Sequence, residues 1–212
     1  MKKTVFIIAL LTITLVGCKQ SNNLMQQLVT IDSIAFQKGD SMAYAMLEEI
    51  APETINDEES IAYYWLLKTR TEIRLSKDIK DTVAIDKSIN YYLRHTNNAK
   101  LARAYGYKAH ILKANKDLRG ASVCLKYAEQ LVKNDSKELA LTYMIYYSLA
   151  EINYKAKEHQ LAIDYEKKAL KTAYTLNNSS NIAKVSHLPF YRLSRIIKHC
   201  NILIDNLLTS RK

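Results

Sequence analysis

The chain is 212 residues long and carries 31 Lys and Arg against 21 Asp and Glu, a net charge of +10 at pH 7 with His neutral. Its two prolines and four glycines are too few for the closely spaced turns of a β-sandwich or barrel, and Ala, Leu, Ile, Lys and Tyr dominate, so the composition points to an all-α fold. A basic excess fits a nucleic acid or an anionic membrane surface, but no recognition-helix motif is present, and the excess is uneven: residues 184–212 carry a net +5 and residues 18–183 only +3.

Residues 1–17 read as an export signal rather than as structure. Lys2 and Lys3 form a positive start, Val5 to Val16 an apolar run broken only by two threonines, and Leu15-Val16-Gly17-Cys18 closes it. Those 12 residues are too few to cross a hydrocarbon core about 30 Å thick as a helix. The Leu-Val-Gly-Cys ending resembles the lipobox of bacterial lipoproteins, which implies that Cys18 is lipidated and heads a mature chain of 195 residues. Stable anchoring follows when two or more acyl chains are buried. By the same resemblance, Lys19 in place of Asp argues against retention at the inner membrane, and Gln20 to Asn23 carries no acidic surface-export cluster. The expected location is the periplasm-facing side of the outer membrane. Export removes nucleic acid as a partner, while the basic C-terminus could still be drawn to anionic lipid.

Residues 18–23 are expected to form a short linker and residues 24–183 a series of helical hairpins. Leu24 to Phe36 forms the first helix, Gly39-Asp40 a turn, and Met42 to Ile50 a second helix ended by Pro52. Asp57-Glu58-Glu59 opens the helical run that reaches Leu75, where carboxylates favour the positive end of the backbone dipole. That role accounts for the cluster without metal or substrate. The polar turn Ser76 to Asp81 leads to a helix over Val83 to His95, and Asp135 or Ser136 with Glu138 opens a later helix.

The clearest unit runs from Leu139 to Leu170. Tyr143, Tyr146, Tyr147, Leu149, Ala150 and Tyr154 recur at helical spacing, polar Lys155 to Gln160 intervene, and Ala162, Ile163, Tyr165, Ala169 and Leu170 recur again. Two amphipathic helices joined by a short turn follow from that pattern, with Ala150 and Ala162 small where antiparallel helices touch most closely. The run Tyr146-Tyr147-Ser148-Leu149-Ala150, then Ala162-Ile163-Asp164-Tyr165 and Lys168-Ala169-Leu170, resembles a tetratricopeptide repeat. It departs from that pattern where Asn153 replaces an aromatic, where Lys157 replaces the glycine of the turn, and where no proline closes the unit. Upstream, Ala109 falls 41 residues before Ala150, and a further step of that size lands on Lys68, beside Tyr64 and Leu67. This period exceeds the roughly 34 residues of the standard repeat, so longer helices are expected.

The resemblance implies a right-handed superhelix of antiparallel helix pairs, a tetratricopeptide-like solenoid, whose concave surface is lined by first helices. On that surface it would place Trp65, Thr69, Arg103, His110, Lys113, Tyr147, Glu151 and Tyr154 as a partner-binding groove. Tyr brings a large apolar body and a hydroxyl that needs water or a partner, so the 15 tyrosines suit a groove or, equally, wedges between helices.

The C-terminal stretch departs from the repeat. Phe190, Leu193, Ile197, Cys200, Ile204 and Leu207 follow steps of three and four, so residues 184–212 read as a basic amphipathic helix with Pro189 near its first turn, either a cap on the last apolar face or a repeat cut short. Cys124 and Cys200 lie on apolar faces and are expected as buried thiols. The five histidines are scattered singly, and no catalytic, phosphate-binding or metal-ligand motif is present, so no enzyme activity, cofactor or metal is expected. The expected function is a lipid-anchored module that holds a protein or peptide at the cell envelope. The alternatives are a sensor or assembly part of a larger regulatory or envelope system and, less favoured, a glycan-binding accessory lipoprotein.

Overall fold

A computed structural model describes residues 23–133 and 136–187, and these are helical with no strand. They fall into two compact units that meet in sequence between Asn115 and Lys116. The first holds α1 (residues 23–37), α2 (Asp40–Glu48), a 3₁₀ turn at Pro52–Thr54, α3 (Glu58–Arg74), α4 (Val83–Arg94) and α5 (Asn98–Ala114). The second holds α6 (Leu118–Val132), a 3₁₀ turn at Ser136–Glu138, α7 (Leu139–Lys155), α8 (His159–Thr175) and α9 (Ser179–Ser186). No helix among the described residues is long and apolar enough to cross a membrane.

Short polar side chains start these helices. Asp57 accepts a hydrogen bond from the Ser60 N–H at 2.8 Å, Asn97 from Lys100 at 3.1 Å, Asp117 from Gly120 at 2.8 Å and Asn178 from Asn181 at 3.0 Å. Each satisfies one of the amides that a first turn leaves without a backbone partner. The expected acidic start of α7 takes another form: Glu138 precedes the helix, but its side chain caps nothing, and the 3₁₀ turn leads in instead. Asp135 lies outside the described residues.

The helices end in a repeated way. Ser76, Lys116 and Lys157, which follow α3, α5 and α7, all have positive φ, at 55°, 68° and 64°. They are spaced by 40 and 41 residues. Thr96 and Asn177, after α4 and α8, share the same left-handed backbone, and Gly39 after α1 has φ 105°. At Lys157 the turn closes through the Lys157 N–H to the Tyr154 carbonyl at 3.0 Å and Glu158 N–H to Asn153 at 2.9 Å, and at Ser76 through Ser76 to Ile73 at 3.1 Å and Lys77 to Glu72 at 2.9 Å. These are the paired bonds of a left-handed helix stop. The helices α3, α5 and α7 are each 17 residues long, which accounts for a period above that of the standard repeat.

In the first unit α3 packs against α2, α4 and α5, and α4 against α5. Leu28, Ile31, Leu47, Leu66, Leu67, Ile85, Tyr92 and Ile111 form its core. Ser88 of α4 donates to the Ala62 carbonyl of α3 at 2.7 Å, inside that core. In the second unit α7 packs against α6 and α8, and α8 against α9. Leu125, Ile145, Leu149 and Tyr165 fill its interior, with Ala150 and Ala162 both buried in the α7–α8 pair. Cys124 is buried on α6. The expected 184–212 segment begins inside α9 rather than at a break, and Cys200 with the Phe190 to Leu207 stripe lies outside the described residues.

The tyrosines serve packing in two recurrent ways. Their hydroxyls tie one helix to another: Tyr63 to Asp32 at 2.8 Å, Tyr165 to Glu129 at 3.1 Å, and Tyr143 to the Asn181 carbonyl at 3.2 Å. Their rings carry lysine ammonium groups, with Lys100 3.8 Å over Tyr63, Lys68 4.1 Å over Tyr44 and Lys168 4.7 Å over Tyr165. A ring face attracts a cation and shields it from water at once, which lets a lysine-rich chain cover its own aromatic surface.

Candidate functional site

A cleft of about 540 Å³ opens on the first unit, lined by Val29, Asp32, Ser33 and Phe36 of α1, Tyr63 and Arg70 of α3, and Arg103 and Tyr107 of α5. Only α1, α3 and α5 contribute to it; α2 and α4 do not. The positions follow a rule of spacing. Counted back from the positive-φ residue that follows each helix, Phe36, Ser33, Asp32 and Val29 stand three, six, seven and ten residues before Gly39, Arg70 and Tyr63 six and thirteen before Ser76, and Tyr107 and Arg103 nine and thirteen before Lys116. Those steps keep to one face of a helix with 3.6 residues per turn.

Polar contacts brace the cleft. Asp32 receives a hydrogen bond from the Arg70 guanidinium at 2.7 Å on one oxygen and from the Tyr63 hydroxyl at 2.8 Å on the other, so α1 is tied to α3 at both. Asp40 lies 3.4 Å from the Nε of Arg70 and 3.3 Å from that of Arg74. Charge-assisted bonds of this kind are among the stronger in proteins. Burial, together with the Asp32 carboxylate, raises the Tyr63 phenol well above its ordinary value, against the opposing pull of Arg103 and Arg70. Burial also raises Tyr107, with Arg70 and Arg103 again opposing. Both phenols therefore stay neutral, and Lys100, over the Tyr63 ring, is lowered by its own burial. The lining thus sets guanidinium and phenol groups and the Asp32 carboxylate beside the apolar Val29 and Phe36. Among the described residues no group of three or more His, Cys, Asp and Glu is placed to hold a metal ion.

Of the eight residues expected in a groove, the cleft contains Arg103. His110 and Lys113 stand six and three residues before Lys116, and Glu151 and Tyr154 six and three before Lys157, with Tyr147 ten before it, so these five share the offsets of the cleft face. On α7 that face holds Tyr147 and Glu151 half-buried and Tyr154 exposed. Burial, then Glu151, raises the Tyr147 phenol. Trp65 and Thr69 do not belong to it. The ring of Trp65 stands edge-on to Tyr64 with centroids 5.0 Å apart and carries Lys87 of α4 at 4.9 Å, so it is turned toward a second helix. Its indole N–H is buried with no hydrogen-bond partner among the described residues.

Thr69 is 1% exposed, like Ala109 at 2% and Ala150 at 1%, and it stands seven residues before its turn as they do. It is the small residue of the close helix contact. The step from α3 to α5 is 40 residues rather than 41, and that single residue moves Lys68 off the small position. Lys68 is buried all the same, paired with Glu48 and laid over the Tyr44 ring. The residues missed in the sequence are Val29, Asp32, Ser33, Phe36, Tyr63, Arg70 and Tyr107; counting from the turns instead of from the alanines recovers Tyr63 and Arg70 on α3, at the offsets of Arg103 and His110 on α5.

Comparison of the chain with protein-family models, with curated proteins and with solved structures finds no match in any of the three.

Proposed function

We propose that the chain is a helical-repeat interaction module, held at a membrane through lipid on Cys18, that uses the common face of its first helices to hold a protein or peptide partner at the cell envelope. The observation that carries this is the cleft of the first unit, built by α1, α3 and α5 alone, at offsets that recur on α7 as Tyr147, Glu151 and Tyr154. A tetratricopeptide-like right-handed superhelix would bring these offsets onto one concave surface. Arg and aromatic side chains are those that most often dominate protein interfaces, and the face carries both.

Two experiments test it. Metabolic labelling with a fatty-acid analogue should mark the wild type and leave Cys18→Ser unlabelled; equal labelling of both removes the anchor. Capture from native envelopes should yield a partner that the Arg103→Ala, Tyr154→Ala double variant loses, with helical signal and melting temperature held. If every partner survives the double substitution, the face is not the binding surface, and the repeats serve assembly with a neighbouring subunit instead.

A further inference from the structure

Resting on that binding role, we infer that the cleft of the first unit selects an uncharged partner segment, whose amide carbonyls accept hydrogen bonds from Tyr107 and Ser33 while its apolar side chains cover Val29 and Phe36. The charged groups of the lining are already engaged inside the protein. Asp32 accepts from Arg70 on one oxygen and from Tyr63 on the other, Arg70 also lies 3.4 Å from the Asp40 carboxylate, and Arg103 has interactions of its own. A partner charge entering here would lose water and find no free counter-charge, and an uncompensated charge is the costliest group to bury. The two tyrosines of the lining report the same balance. A phenolate is an anion held at the cleft, and at both Tyr63 and Tyr107 burial outweighs the pull of Arg70 and Arg103, so each stays protonated. A carboxylate beside Tyr107 would meet the same desolvation, and an ammonium would meet the two guanidinium groups besides.

The groups left to a ligand are neutral. The Tyr107 hydroxyl makes no hydrogen bond among the described residues. Ser33 accepts one from Gln37 at 3.0 Å, which leaves its own O–H to donate. An amide carbonyl satisfies either donor without bringing charge. Val29 and Phe36 stand on α1 with Asp32 and Ser33 between them in sequence, so this wall sets apolar and polar side chains side by side. They are 53% and 86% exposed, and covering them removes apolar area from water. A segment that alternates amide and apolar groups matches that mixture. The cleft is open rather than enclosed, so a chain can pass through it without ending there.

The test measures fluorescence anisotropy of the full chain in detergent with a decapeptide in which Gln pairs flank Leu and Phe, labelled with an uncharged coumarin and amidated at its C-terminus, and with its Gln→Glu and Gln→Lys analogues. The Gln peptide should bind about tenfold tighter than either charged analogue and should hold its affinity as salt is raised, since no ion pair forms. Tyr107→Phe, which removes the hydroxyl and keeps the ring, should weaken the Gln peptide about fivefold. Ser33→Ala and Phe36→Ser, on exposed side chains that do not support the core, should weaken it as well, and they carry the test if Tyr107→Phe loses helical signal. Tyr174→Ser, on an exposed ring of the second unit, should leave it unchanged. A Glu or Lys peptide that binds as tightly as the Gln peptide, with both weakened by Phe36→Ser, overturns the selection for an uncharged segment and leaves the peptide-binding role standing. Binding weakened by Phe36→Ser but untouched by Tyr107→Phe and Ser33→Ala overturns the carbonyl contact in the same way. Binding of none of the peptides, or binding untouched by all three cleft variants, removes the cleft as a binding face altogether.

Discussion

Replacing Lys157 with glycine should stabilise the protein, although the change removes a long side chain and adds flexibility. Lys157 holds φ at 64°, and its side chain is exposed, so truncation uncovers no core. A residue with a Cβ in the left-handed region costs about 1–2 kcal/mol. Glycine removes that cost but makes the unfolded chain more mobile, which takes back about 0.5–1 kcal/mol. The net gain is about 0.5–1 kcal/mol, since the closing bonds from Lys157 to Tyr154 and from Glu158 to Asn153 are made by backbone atoms and survive the substitution. For a chain of this size 1 kcal/mol moves the melting temperature by roughly 2–4 °C, so a rise of about 1–4 °C is expected by circular dichroism. Ser76→Gly and Lys116→Gly should behave alike, and the three should add, because their turns share no partners. Asn177→Gly should gain less, as asparagine tolerates this conformation better. Lys157→Val should lose stability. A glycine variant that melts at or below the wild type, beside a valine variant that melts with it, would refute the left-handed turn and with it the register drawn from the turns.

Two carboxylates should give opposite pH responses. Although burial works to raise it, Glu129 is held below the ordinary carboxylate range by Lys126, the Tyr165 hydroxyl and Lys168, so its share of stability is present above about pH 4.3 and is lost as pH falls through its folded value. Burial holds Glu72 above that range against Lys68 and Lys77, so stability falls as pH rises from its unfolded toward its folded value. Urea midpoints between about pH 3 and pH 7 should therefore rise less steeply in Glu129→Gln than in the wild type. Glu72→Gln should lift the upper part of the curve, and identical curves for both variants would contradict these environments. Ala150→Trp and Ala162→Trp should each cost about 1–3 kcal/mol by overpacking the α7–α8 contact, where both alanines are buried; a urea midpoint equal to the wild type for either would mean the contact is looser than its burial indicates.

Helix content and most helix bounds were legible in the sequence. The helix over 23–37, α2, the Asp57 start of α3 and the start of the α7–α8 hairpin all lie within two residues of expectation, while α8 runs on to Thr175, five residues past Leu170. Such features depend on contacts within a few residues: caps, i to i+4 bonds and the 3.6-residue recurrence of apolar side chains. The turn stops were less visible, because Ser76, Lys116 and Lys157 occupy a conformation that sequence alone associates with glycine.

Residue pattern alone points to helices, to a spacing near 41 residues and to polar and aromatic side chains on the first helix of each pair. Which of those side chains share a face depends on how the helices pack. One residue of error in a repeat step rotates a helix position by about 100°, enough to carry Trp65 and Thr69 from the cleft to a second helix and to the core. The bond between Asp32 and Arg70 joins positions 38 residues apart, and it depends on the burial of the α1 face that carries Leu28, Ile31 and Ala35, which no local pattern around either residue specifies. Packing of apolar surface sets how each helix is turned about its axis, and the cleft is what that rotation leaves open between α1, α3 and α5.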